Sequence, residues 1–266
     1  MTIASRQQKL IARKLLSTFR KEARISRAGA PIRRSFVLKT KEGPSPLVRL
    51  LNQRDGKSGG PGGRLRLQIY LSLLWVCASK PYATNRPARV WAELLNLDDP
   101  ETNGTRRVRA ALKELAERKF VRLEPTKPTP TITMLSDLGD GSPYTTPGEV
   151  IVDSSREDRK SHEYFRVPNV MWTEGYLGDM DGAAIAMFLV LLAESRGVCR
   201  DVWISPHALD ELYGISASTR TKGIAQLKEL ELVTVTRQAV QSRIDFSPSR
   251  QIYRIPILPD PTPEAE

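Results

Sequence analysis

Two stretches of the sequence resemble each other closely: ALKELAERKFVRL at Ala111–Leu123 and IAQLKELELVTV at Ile224–Val235. In each stretch, apolar residues first recur at helical spacing and then alternate, which predicts a helix that runs directly into a strand. At an offset of 112 residues, five apolar positions coincide: Leu112 with Ile224, Leu115 with Leu227, Phe120 with Leu232, Val121 with Val233 and Leu123 with Val235. This ungapped match predicts two copies of one supersecondary unit.

The similarity continues upstream of both stretches. Ala92–Leu94 matches Asp210–Leu212, and Leu97 matches Ile215, at an offset of 118, because the polar loop after Leu97 is six residues longer than its counterpart. Each copy therefore predicts the same order of elements: an apolar helix, a short helix, a turn, a third helix and a two-stranded hairpin.

This repeated unit resembles the winged helix-turn-helix family. The plan of two such units in one chain also resembles plasmid replication initiators of the tandem winged-helix type. The resemblance implies DNA binding, with the third helix in the major groove and the wing against the backbone or minor groove. It is carried by Val90–Leu97 with Arg106–Leu123, and by Ala208–Ile215 with Thr219–Val235.

We expect an α+β fold, mainly α with small β-hairpins, in which two winged helix-turn-helix domains occupy residues 64–136 and 165–258. Residues 1–63 are expected to form a basic, partly helical arm that ends in the glycine-rich linker GKSGGPGG. Residues 137–164 are polar and rich in turn residues, which predicts an interdomain linker. Residues 259–266 are expected to be a disordered acidic tail.

The positive charge is concentrated at the N-terminus. The 266 residues carry a formal net charge of +11, and residues 1–64 hold sixteen Lys and Arg against three acids. This excess predicts a polyanionic partner, either nucleic acid or an acidic membrane surface. An amphipathic helix is predicted at residues 3–24, and it could dock on the protein body, on DNA phosphates or on a membrane surface.

In the first copy, the candidate DNA contacts lie on the predicted third helix, Thr105–Lys119. Val108, Leu112 and Leu115 form an apolar stripe that must face the core. Thr105 is predicted to cap the helix and, with Gly104, to offer N–H groups to a phosphate, while arginines can read guanine or hold phosphates. The candidates in this copy are Thr105, Arg106, Arg107, Arg109, Lys113, and, on the hairpin, Arg122 and Lys127.

The second copy is less basic. Residues 165–258 contain ten basic and ten acidic residues. This copy could therefore touch DNA lightly, form a homodimer or bind a protein partner. Its candidate DNA contacts are Thr219, Arg220, Lys222, Arg243 and Arg250, and the N-terminal arm adds Arg33 and Arg34.

The sequence offers little material for catalysis. It contains two cysteines and two histidines, so neither a disulfide scaffold nor a multi-cysteine metal site is expected. Gly56-Lys57-Ser58 resembles the end of a phosphate-binding loop, but Leu51 stands where that motif needs glycine. We expect no enzyme activity, cofactor or metal, and we expect the four tryptophans in the core.

The longest apolar run, Ala183–Ala193, has eleven residues, whereas a membrane-spanning helix needs about 20. We therefore expect no stable membrane insertion and a cytoplasmic, nucleoid-associated protein. The sequence favours a double-stranded DNA-binding protein, either a transcription regulator or a replication initiator of a mobile element. The alternative is a non-enzymatic interaction module in which winged helices dock a protein partner.

Overall fold

The computed structural model describes residues 6–21, 29–41, 43–52, 61–125, 128–149, 163–239 and 249–260. The helices in these ranges are α1 (Arg6–Lys21), α2 (Pro46–Leu51), α3 (Pro61–Val76), α4 (Ala88–Leu94), α5 (Thr105–Glu117), α6 (Val170–Thr173), α7 (Tyr176–Asp179), α8 (Gly182–Ser195), α9 (Pro206–Tyr213) and α10 (Ala217–Glu229). The strands are β1 (Ala30–Arg33), β2 (Ala83–Thr84), β3 (Val121–Glu124), β4 (Thr131–Met134), β5 (Tyr164–Val167), β6 (Thr234–Ala239) and β7 (Ser249–Arg254).

The fold is α+β, with small antiparallel sheets beside the helices. Within the described residues, β1 pairs with β5, β4 lies between β2 and β3, and β6 pairs with β7. The hairpin of the second copy keeps the position of its counterpart, because Val202 forms an isolated bridge with Tyr253 of β7, just as β2 pairs with β4. Both copies thus show one order of helices and strands.

The structure supports the repeat over the third helix and the first hairpin strand, whereas upstream Leu94 is buried and its counterpart Leu212 is 49% exposed. Helices α5 and α10 are each thirteen residues long and begin and end 112 residues apart. Each is followed by a residue in the left-handed conformation at the same offset, Lys119 with φ 64° and Glu231 with φ 58°. Of the five matched apolar pairs, four are buried in both copies and the fifth is partly buried in both.

The two copies share a continuous apolar core. Helices α3 and α8 are apolar on nearly every face, which is typical of helices buried on all sides. The rings of Trp75 and Trp172 stack with centroids 4.8 Å apart. Their indole N–H groups donate to Asn169 and Ser72, at 2.9 and 3.1 Å respectively. Stacking and hydrogen bonds therefore join α3 of the first copy to α6, which leads into the second.

The described part of the predicted N-terminal arm belongs to the body of the protein. Strand β1 pairs with β5, and α2 packs against α3. Helix α1 packs on α6 and α4, and the Lys9 ammonium lies 2.7 Å from a carboxylate oxygen of Glu174. Of the three docking alternatives for this helix, the structure shows the one in which it lies on the protein body.

The predicted linkers also differ from the structure. Pro61–Gly63 begins α3 instead of continuing the glycine-rich linker, and a side chain at Gly63 would lie 2.0 Å from the carbonyl oxygen of Leu51. Asp137 and Tyr144, expected in the interdomain linker, are buried. The described residues 137–149 are thus part of the packed structure, and the linker's residues 150–162 lie outside the described ranges. Most of the predicted acidic tail, 261–266, lies outside them too.

Helix α8 is apolar throughout but has only 14 residues. Among the described helices, none combines the length and the apolar composition that a bilayer-spanning segment requires.

Candidate nucleic-acid interface

Helix α5 presents a row of cations to the solvent. Val108, Leu112 and Leu115 are buried, as their stripe predicted. The opposite side carries the small residue Ala110 in the middle of exposed basic residues. We call this surface the α5 face, and it consists of Arg106, Arg107, Arg109 and Lys113.

The α5 face keeps its positive charge. Arg106 makes a long hydrogen bond of 3.4 Å to the side-chain oxygen of Asn103, and within the described residues none of the four cations forms an ion pair. Glu114, an acidic residue of the same helix, forms an ion pair with the buried guanidinium of Arg66, which offsets its negative charge. Arg66 is itself fixed by the carbonyl oxygens of Leu50 and Asn52, at 3.0 and 2.8 Å. The positive potential of the helix is therefore directed outward.

The N-terminus of α5 differs from the prediction, because the helix is preceded by a π-helical turn, Pro100–Gly104. The Asp99 side chain accepts hydrogen bonds from the amides of Thr102 and Asn103, and hydrogen bonds led by that of the Thr102 hydroxyl lower the pKa of Asp99. The amide of Gly104 donates to Asp99, and that of Thr105 donates to Thr102. Thr105 is therefore neither a cap nor a donor available to a phosphate, which corrects both predictions.

The hairpin of the first copy lies beside this helix. Arg122 on β3 is exposed, but its guanidinium lies 2.9 Å from the Glu124 carboxylate, which offsets its charge. Lys127, the other hairpin candidate, lies outside the described residues. A cleft of about 230 Å³ separates the hairpin from the helices, and Arg109 lines it together with Pro128. Arg109 is thus the member of the α5 face that lines this cleft.

Helix α10 exposes two cations, Lys222 and Lys228, whereas α5 exposes four. Lys222 is exposed, whereas Thr219 and Arg220 are partly buried, and the Thr219 amide donates to the capping Ser216 hydroxyl. Gly223 allows α10 to approach α8 very closely, since a side chain there would lie 2.4 Å from the carbonyl oxygen of Ala183. Of the predicted contacts on this helix, Lys222 is the one that is fully exposed.

Two arginines of the predicted arm form ion pairs with acidic residues of the fold. Arg33 is only 4% exposed, lies 2.6 Å from the buried carboxylate of Asp137 and donates to the Thr145 carbonyl. Arg34 lies 2.5 Å from Glu194, whose other partner is the Tyr213 hydroxyl. Arg33 is not placed to contact a phosphate, because strand β1 is buried within the fold, whereas Arg34 follows that strand and is partly exposed. The DNA-contact prediction for Arg33 is therefore corrected, and that for Arg34 stays a prediction.

Trp203, in the segment that pairs with the hairpin of the second copy, is not in the core as predicted. Trp203 was expected in the core, but it is 51% exposed, whereas Trp75, Trp91 and Trp172 are 1–2% exposed. The guanidinium of Arg250, a predicted contact, lies over its ring at 5.5 Å. Val202, Trp203 and Ile204 are all apolar, so the sequence shows no alternation of polarity that marks Trp203 as outward-facing. Arg243 lies outside the described residues.

Within the described residues, no three His, Cys, Asp or Glu side chains are grouped so that they could hold a metal ion. No protein-family model matches the chain, and no curated protein matches it either. The geometry of the two copies therefore carries the functional argument.

Proposed function

We propose that this protein binds double-stranded DNA through two winged-helix units, with α5 as the principal reading helix. The observation that carries the proposal is the α5 face, four exposed cations that form no ion pair within the described residues. Backbone phosphates supply most of the affinity in such complexes, so cations without acidic partners are the groups that such an interface requires.

The shape of α5 supports the same reading. Thirteen residues give a helix about 20 Å long, and the major groove is wide enough to admit one helix. Ala110, at the middle of the face, leaves room for close approach to the base edges. Arg106 and Arg109 can then each donate two hydrogen bonds to a guanine, or contact the phosphates on either side of the groove.

The order of elements is a second support. In both copies a short extended segment pairs with the second hairpin strand, and two helices lie between them in the chain. This is the order expected of winged-helix units, in which the third helix enters the groove and the hairpin flanks it. On this proposal the protein is a transcription regulator or a replication initiator.

The test is a salt titration of binding to a labelled random-sequence duplex, followed by fluorescence anisotropy over about 50 to 300 mM salt. We expect a steep decrease of affinity with salt. The triple variant Arg106→Ala, Arg109→Ala, Lys113→Ala should flatten the log–log slope by about three and weaken binding about a hundredfold at low salt.

A matched control removes the same number of exposed cations elsewhere, through Arg6→Ala, Lys14→Ala and Lys41→Ala. This control should change affinity only severalfold, since it alters net charge without altering the α5 face. The proposal fails if the wild-type protein does not bind at about 50 mM salt, or if both triple variants lose affinity equally.

Selection of bound sequences from a random duplex pool would then distinguish a transcription regulator from a replication initiator. A palindromic consensus indicates a dimeric regulator, whereas an array of direct repeats indicates an initiator.

A further inference from the structure

The indole ring of Trp203 is exposed to solvent beside the β6–β7 hairpin. Val202 and Ile204 are buried on either side of Trp203, and Val202 exchanges two 2.8 Å backbone hydrogen bonds with Tyr253. The backbone around Trp203 is therefore fixed, and the indole is directed outward. A tryptophan exposed by a rigid segment is unusual, because most of its large apolar surface is normally covered.

The neighbours of this ring are cationic and polar. In the antiparallel register Gln238 pairs with Arg250 and Thr236 pairs with Ile252, so these residues share one face of the hairpin. Arg250 lies over the Trp203 ring and donates to the Gln238 side chain at 2.9 Å. A second arginine of this face, Arg254, is held by Asp201 at 2.9 Å. The described residues of β6 and β7 contain three arginines and no acidic residue.

We propose that this face, which we call the Trp203 surface (Trp203, Thr236, Gln238 and Arg250), binds single-stranded DNA by stacking an unpaired base on the indole. The Arg250 guanidinium would then hold a phosphate adjoining that base. An exposed aromatic ring beside cations on a sheet is the arrangement by which proteins hold unpaired nucleotides, and stacking is tolerant of base identity. A duplex keeps its base faces covered by neighbouring pairs, so an open strand suits this surface better.

This activity goes beyond duplex binding and uses a different part of the molecule from the α5 face. It also gives a role to the second copy, whose third helix exposes few cations. The two activities can be measured separately, so failure of one leaves the other open to its own test.

The first measurement uses the intrinsic fluorescence of the full chain. Because the other three tryptophans are 1–2% exposed, iodide should quench mainly the emission of Trp203. A short oligothymidylate should quench the Trp203 emission on binding and shield the remainder from iodide. If oligothymidylate leaves both the emission and the iodide quenching unchanged, the proposal is overturned.

The second measurement is the affinity of labelled oligothymidylate for variants, by anisotropy. Trp203→Ala should weaken binding about ten- to a hundredfold, whereas Trp203→Phe, which keeps an aromatic face, should stay within about fivefold of the wild type. Trp203 is exposed, so its replacement should leave the melting temperature nearly unchanged, and a melting curve verifies folding.

Tyr164 provides a matched control, because it is exposed and has the guanidinium of Arg166 over its ring at 5.2 Å. It lies on β5, which pairs with β1 and belongs to a different sheet from the β6–β7 hairpin. Tyr164→Ala should leave single-strand affinity unchanged, and an equal loss in both alanine variants would refute the assignment to the Trp203 surface.

The α5 triple variant completes the design. It should lose duplex binding and keep the quenching by oligothymidylate. If duplex DNA shields Trp203 as strongly as the single strand does, the surface is a duplex contact and the single-strand proposal is wrong. If wild-type protein binds oligothymidylate but not duplex, the proposed function fails while this inference stands.

Discussion

The two copies of the repeated unit have matching backbones and different surfaces. Helices α5 and α10 have the same length and share three buried positions, although the buried Val108 of α5 is matched by the partly buried Arg220 in α10. At equivalent outward positions, however, the cations Arg106, Arg109 and Lys113 are replaced by Ser218, Thr221 and Ala225. The inward residues define the unit, while the outward residues can change without affecting it, so fold and binding partner are set by different residues.

The N-terminal segment also forms a different ion pair with each of the two copies. Two adjacent arginines each serve one of them: Arg33 pairs with Asp137, which follows the first copy, and Arg34 pairs with Glu194 of α8 in the second. The first pair is almost completely buried, whereas the second is about 30% exposed. Similar chemistry should therefore contribute unequally to stability.

The largest expected effect comes from breaking these pairs one at a time. Asp137→Asn should lower the free energy of unfolding by about 3–5 kcal/mol, because it leaves the Arg33 charge buried without a counterion. Glu194→Gln should cost about 1 kcal/mol, since Arg34 keeps access to water. Urea denaturation measures both, and equal losses would show that burial does not distinguish the two pairs.

The next largest effect on stability is expected at the contact between α10 and the core helix α8. Gly223→Ala should destabilise by about 1–3 kcal/mol, because its methyl group would meet the Ala183 carbonyl at 2.4 Å and α10 would have to move. At the equivalent position of α5, the reverse change Ala111→Gly should cost about 1 kcal/mol, mainly through helix propensity. Thermal unfolding of the two variants is the measurement, and a Gly223→Ala variant as stable as wild type contradicts the close packing.

A smaller effect is expected from giving the second copy the surface of the first. The triple variant Ser218→Arg, Thr221→Arg, Ala225→Lys should raise duplex affinity about tenfold and steepen its salt dependence. Glutamines at the same three positions form a control of similar size without the charge. If the charged and uncharged variants bind alike, α10 does not face DNA.

The smallest effect concerns α1, which lies across both copies. The ammonium of Lys9, followed by Arg13, lowers the pKa of Glu174 below its ordinary value of 4.5. A lowered carboxyl pKa stabilises the fold above pH 4.5, and this contribution is lost as the pH falls through the folded-state value. Glu174→Gln should cost under about 1 kcal/mol at neutral pH and nothing in strong acid, as measured by unfolding at both pH values. A cost that persists in acid would show that the ion pair is not its source.

Much of this architecture could be predicted, because it follows from local patterns. The stripe of Val108, Leu112 and Leu115 predicted the inward face of α5. The start of α9 is equally local, because Ser205-Pro206 is typical of a helix N-terminus and the Ser205 hydroxyl accepts from the Ala208 amide. Such features depend on residues close together in the chain.

The errors involve partners that are distant in the chain. Arg33 was assigned to DNA because its neighbours are basic, and only the fold brings Asp137, 104 residues away, against it. The cap of α5 was misplaced because the inserted residues fold into a π-helical turn capped by Asp99. Charge counting likewise treated Lys9, Arg34 and Arg49 as available, although their side chains are bound to other parts of the protein.

The stacked tryptophans between α3 and α6 have a mechanical consequence. Since Trp75 and Trp172 bury their rings against each other at the junction of the two copies, the copies are packed together through one continuous core. If the proposed duplex binding involves both units, the two contact sites on the DNA must lie at a fixed helical phase. The protein would then measure the spacing along DNA, and inserting half a helical turn between the sites should oppose binding more than inserting a whole turn.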